Sequence, residues 1–145
     1  MYRGILAVLV GALAIGAVAV GCGGGGSPTK AEFIERADAI CQMREEERQA
    51  GFLAAPQPGS NASPREIGVL QKRLITTVVL PSIQAEFEEL ADLNAPSGEE
   101  AKVGAIIEAY GEIVKEAEER PYTVGKYAKY DRLTAEYGLN VCHHF

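Results

Sequence analysis

Three cysteines and two histidines are the side chains in this 145-residue chain best suited to chemistry: Cys22, Cys41, Cys142, His143 and His144. A thiol can be acylated, oxidised to a disulfide or used as a soft metal ligand, and an imidazole can ligate a metal or move a proton. Cys142, His143 and His144 are consecutive. Adjacent residues reach one ion only where a loop bends them toward it, which argues against a metal site there. G-x-S-x-G, H-E-x-x-H and a phosphate-binding glycine loop are all missing, so an enzyme would have to draw its acid and base from carboxylates. The glutamates cluster in "REEER", "EFEEL", "SGEE" and "KEAEER", mostly off the apolar stripes and with bases at helical neighbour spacing, as Glu45 with Arg48 and Glu116 with Arg120. That is the pattern of a solvated helix face, and no catalytic residue or cofactor is assigned. Five of the six tyrosines fall between Tyr110 and Tyr137. Tyr127 and Tyr130, with His143 and His144, form a candidate ligand-binding set. The alternative is rings that pack a rim and keep their hydroxyls in water.

The first cysteine follows an export signal. Arg3 and the free amine precede an apolar run from Ile5 to Val20, and a small-residue junction follows it. The run falls short of the ~20 apolar residues of a relaxed membrane span. Seven of its sixteen residues are alanine or glycine. Cleavage is therefore favoured over a permanent anchor. Ala17-Val18-Ala19 satisfies the small-x-small rule of ordinary signal peptidase, whereas "AVGC", residues 19–22, resembles the lipobox of bacterial lipoproteins. In that motif a small residue precedes a cysteine that is diacylated and becomes the new N-terminus. Gly21 and Cys22 fit it, and Ala19 stands where leucine is usual. The resemblance implies a leader over residues 1–21, a lipid on Cys22 and attachment to the cell membrane on its extracytoplasmic face. "GGGGSP" then serves as a flexible spacer, since the steps from Cys22 to Pro28 span about 13 Å as a coil.

With Cys22 acylated, an even pair is left in an exported protein. Cys41 and Cys142 are therefore expected to form a disulfide joining the first helix to the tail. The competing use of Cys142 is the metal site with His143 and His144.

Residues 29–145 read as one all-α domain, an antiparallel four-helix bundle with a kinked second helix. Thr29 and Glu32 form a capping box, and Phe33, Ile34, Ala37, Ile40 and Cys41 share one face of a helix that runs to Gln49 or Ala50, where Gly51 ends it. The connection "GFLAAPQPGSNAS" follows, with Phe52 and Leu53 expected to fold back onto the core. Ser63, Pro64 and Glu66 then open a second helix striped by Ile67, Leu70, Leu74, Val78, Phe87 and Leu90. Pro81 lies inside that stripe and predicts a kink or break. Ser97 and Glu100 suggest another capping box for a third helix carrying Val103, Ile106, Ile107, Tyr110, Ile113, Val114 and Ala117, and Pro121 stops it. The last helix aligns Tyr130, Leu133 and Tyr137 and ends at Gly138 with Leu139 as its hydrophobic follower.

Charge narrows the partners. Beyond the leader the chain carries 13 basic and 20 acidic residues. Such a surface repels phosphate backbones, so nucleic acid is not an expected partner.

The lipobox-like junction, the glycine tether, "TKAEFIERADAIC" at the start of the domain and "AEYGLNVC" at its end together resemble small lipoproteins of actinobacteria. The likeness implies an exported helical domain with a disulfide. That group has no established activity, so it implies no catalytic residue. The expected role is a non-enzymatic, membrane-tethered module that contacts an envelope protein. The second expectation is a carrier that holds a small ligand or metal in a pocket of the bundle.

Overall fold

The computed structural model describes residues 26–121 and 127–142, and among them every regular element is helical. α1 spans Lys30–Ala54, α2 Pro64–Leu74, α3 Leu80–Ala91, α4 Glu100–Glu119 and α5 Ala128–Tyr137. A single π-helical turn, Ile75–Val79, joins α2 to α3 without a loop. Four helical rods result, and cross-bundle contacts run in opposite senses along each neighbouring pair. Arg44 meets Glu89 while Arg48 meets Glu86, Gln84 meets Glu118 while Phe87 meets Tyr110, and Tyr110 meets Tyr130 while Glu112 meets Lys129. The bundle is antiparallel.

Caps explain where two of the rods begin. Thr29 Oγ1 accepts from the Glu32 amide at 3.2 Å and the Glu32 carboxylate accepts from the Thr29 amide at 2.8 Å. Ser63 and Glu66 repeat the exchange at 3.3 and 2.8 Å. The carboxyls of Glu32 and Glu66 are held below their ordinary range by these bonds. At the other end of the chain Gly138 takes a φ of 101°, and the amides of Gly138 and Leu139 bond to the carbonyls of Ala135 and Thr134 at 3.1 and 3.0 Å. This is the left-handed stop expected from "YGL", and it buries Leu139.

The proline in the second rod is absorbed without a break. Pro81 has no amide to donate to the turn before it. The chain widens to a π turn just upstream, where the Leu80 amide bonds five residues back to Ile75. Thr76 and Thr77 turn their hydroxyls onto the carbonyls of Lys72 and Arg73 at 3.0 and 2.8 Å.

Three local expectations fail. α1 continues through Gly51 to Ala54, and Gly51 keeps an ordinary helical backbone. Its role is close approach: a Cβ there would stand 2.5 Å from Val78 Cγ1, so the missing side chain lets α1 touch the π turn. Because the helix continues, Phe52 and Leu53 ride on its outer side, 39% and 87% exposed. Ser97 does not cap α4. It sits inside a turn closed by the Glu99 amide on the Pro96 carbonyl at 3.0 Å, with Gly98 at φ 83°, and the helix starts from Glu99 with no side-chain cap.

The core collects Phe33, Ala37, Leu90, Val103, Ile106, Tyr110, Ile113, Tyr130 and Tyr137 around one side of each rod. Among the described residues, every buried one lies between Phe33 and Cys142.

Candidate functional site

Two constellations carry the polar chemistry of the bundle, one tying the tail to α1 and one buried between α1 and α3. The first contains the expected cysteines. Cys41, on the buried face of α1, is bonded to Cys142, and their Cα atoms are 5.2 Å apart. Both residues are buried, at 3% and 2% exposure. Asp38, one turn before Cys41, supports the same crossing: its carboxylate accepts from the Asn140 amide at 3.0 Å and from the Val141 amide at 3.0 Å. The two free amides after the helix stop are thus satisfied by one side chain. With its sulfur in the disulfide, Cys142 supplies no thiolate to a metal. His143, His144 and the expected lipid site Cys22 lie outside the described residues.

The second constellation was not anticipated. The α1 stripe of Phe33, Ala37 and Cys41 continues at the same spacing as Arg44 and Arg48. Arg48 is only 5% exposed, and Glu86, facing it from α3, is 1% exposed. The guanidinium donates to Glu86 at 2.9 Å, to Glu45 at 2.8 Å and to Ser82 at 3.3 Å. Ser82 passes its own hydroxyl to the Arg44 carbonyl at 3.4 Å, and Arg44 pairs with Glu89 and Glu47. Burial pushes the Glu86 carboxyl above its usual range, and Arg48 only partly offsets that. Burial alone would lower Arg48, but its bonds to Glu45 and Glu86 outweigh it and hold the guanidinium up.

Aromatic rings close this site from the other side. Tyr110 and Tyr130, both 0% exposed, stack with ring centroids 4.8 Å apart, and Phe87 meets Tyr110 edge-on at 6.1 Å. Burial, and then the charge of Glu86, push both phenols far above the ordinary tyrosine range, so they stay neutral. A carboxylate with a raised pKa in an enclosed site would suit a general acid. Glu86, however, is sealed from any solvent-borne substrate, so the arrangement is a charged, hydrogen-bonded section of core.

Of the expected ligand set, Tyr127 and Tyr130 do not share a cavity, and His143 and His144 lie outside the described residues. Tyr130 is wholly buried against Tyr110, whereas Tyr127 is half-buried and borders a different, open groove with Phe52, Leu74 and Leu80. Tyr110 and Tyr137 are also buried, so three of the five clustered tyrosines serve the core. The surface reading of the other glutamates holds where their partners are described, as Arg120 on Glu116 at 3.1 Å and Arg132 on Glu136 at 3.2 Å. Glu86 is the exception, and a signal for it exists: Ile83, Glu86 and Leu90 stand at i, i+3 and i+7, which places the acid in the apolar stripe.

Comparison with known protein families, with curated proteins and with solved structures found no match.

Proposed function

We propose that this chain is an extracytoplasmic lipoprotein, held at the membrane through acyl chains on Cys22, and that it works without catalysis by contacting another component of the cell envelope. The observation that carries the reading is the Cys41–Cys142 disulfide, with its Cα separation of 5.2 Å at a sequence distance of 101 residues. Disulfides of this structural kind belong to oxidising compartments, and pairing these two leaves Cys22 as the odd cysteine, placed where a lipobox puts the acylated one. Two or three acyl chains suffice for attachment, at ~0.8 kcal/mol per buried CH₂. A second support is that the one deeply buried carboxylate among the described residues, Glu86, is engaged by Arg48 and faces the core.

The test is Cys22→Ser. The variant should leave the membrane fraction and lose the lipid mass from its N-terminal peptide. Unchanged detergent partitioning, with no lipid on the wild-type peptide, would remove the anchor from this reading. Affinity purification from native membranes then identifies the protein contacted.

A further inference from the structure

The end of the bundle opposite the start of α1 is built differently from the rest. α1 has 25 residues, about 37 Å of helix at 1.5 Å per residue. At its far end, the last turn of α1, the connection through Pro58 and the inner face of α2 enclose a half-open groove of about 470 Å³. Its walls are apolar: Ala54, Pro56, Ile67, Leu70, Leu74 and Val78. α2 has no buried residue, so its stripe is covered on one side only.

The charge around this groove is the reverse of the molecule's. Residues 49–81 hold three bases, Arg65, Lys72 and Arg73, against one acid, Glu66, while the rest of the chain beyond the leader holds 10 bases and 19 acids. Glu66 is committed to its cap on Ser63. The three bases form no ion pair among the described residues. Arg73 and Gln71 line the groove, and no carboxylate does.

We propose that the groove binds a single-tailed anionic amphiphile, a fatty acid or lysophospholipid, with its tail along Ile67, Leu70, Leu74 and Val78 and its head on Arg73. The volume lies within the roughly 300–1,000 Å³ of small-molecule sites, and a mostly apolar wall with a few placed polar groups, here Gln57, Gln71, Arg73 and Thr77, is their usual construction. Cations beside a concave apolar wall that holds no carboxylate match one anionic head with one tail better than a flat bilayer surface. The site is independent of how the chain is anchored.

The test uses the expected mature chain, residues 22–145 with Cys22→Ser, which keeps every buried residue among the described ones, titrated with monomeric dodecanoate and followed through the methyl resonances of Ile67, Leu70, Leu74 and Val78. Saturable one-site shifts confined to these methyls are expected. Arg73 is exposed, so Arg73→Gln keeps the fold and should weaken binding about tenfold, the size of one charged hydrogen bond. Lys102→Gln should change nothing. The uncharged glyceride of the same chain should bind as weakly to wild type as dodecanoate does to Arg73→Gln. A lysophosphatidate run in parallel separates a phosphate from a carboxylate head, and the tighter binder names the class. No saturable shift, equal affinity for dodecylammonium, or an Arg73→Gln variant that binds like wild type would overturn the proposal. So would the same shifts produced by raising protein concentration alone, which would put a second copy in the groove, or by anionic vesicles when the monomer has no effect.

Discussion

Arg48 and Glu86 face each other at 2.9 Å in a section of core where neither is more than 5% exposed. The two residues are not equivalent to mutate. Glu86 has a raised pKa in the fold, so its contribution to stability is fully present below the ordinary value of 4.5 and is lost as pH rises through the folded value. Glu86→Gln, which mimics the protonated acid, should therefore be neutral or mildly stabilising at neutral pH. Arg48→Met leaves the carboxylate buried without its partner and should cost about 3–5 kcal/mol. That loss should shrink as pH is lowered toward 4.5, because protonated Glu86 needs no counter-charge. Urea unfolding of both variants across pH 4 to 8 measures it, and a Glu86→Gln variant as damaged as Arg48→Met would reverse the assignment.

Reducing the Cys41–Cys142 bond should loosen α5 before the other helices. The link closes a loop with a sequence separation of 101, worth up to ~4.7 kcal/mol in the chain-entropy model. α5 has only 10 residues to hold it once the bond is gone. Amide exchange in Cys41→Ser should accelerate in residues 128–142 while α1, α3 and α4 stay protected. Uniform acceleration would show that the bond stabilises the whole bundle at once.

Asp38→Ala should free the tail without breaking the disulfide. The Asn140 and Val141 amides both donate to this carboxylate. Their removal from it should cost about 1–2 kcal/mol, charged hydrogen bonds at a partly exposed site. Faster exchange at these two amides, with Cys41 and Cys142 still paired, is the expected signature.

Gly51→Ala tests the contact between α1 and the π turn. Alanine is better than glycine in a helix by about 1 kcal/mol, yet its Cβ would meet Val78 Cγ1 at 2.5 Å. Overpacking of this kind costs about 1–3 kcal/mol, so the single variant should be no more stable than wild type and the double variant with Val78→Ala should recover stability. A stabilised Gly51→Ala protein would mean that the helices part at no cost.

Much of the architecture was legible because it is governed by local chemistry. Thr29 with Glu32, Ser63 with Glu66, and Gly138 before Leu139 act within a few residues of themselves, and each forms the expected cap. The misreadings arose where a residue answers to a distant partner. Gly51 looked like a helix stop because glycine disfavours helix, but it is set by Val78, which belongs to another rod. Ser97 had the right spacing to Glu100, and the Pro96–Glu99 turn took it instead. Glu86 and Arg48 were read as surface charges because acids and bases usually are, and only their place in the stripes of α3 and α1 marks them as opposed. Tyr127 and Tyr130, expected to share a ligand site, part for a related reason. Proximity in sequence says little about which face of the bundle each ring enters, and Tyr130 turns inward while Tyr127 stays at the rim.

The bond between Cys41 and Cys142 makes the intervening chain a closed covalent ring. Among the described residues its longest exposed run is the connection between α1 and α2, residues 56–61. A protease that cuts there opens the ring but liberates nothing, since both new ends stay linked through sulfur. A nicked molecule would keep its mass on a non-reducing gel and split in two only when reduced. Release of a fragment needs a second cut inside the ring, so a single nick leaves the damaged molecule in one piece.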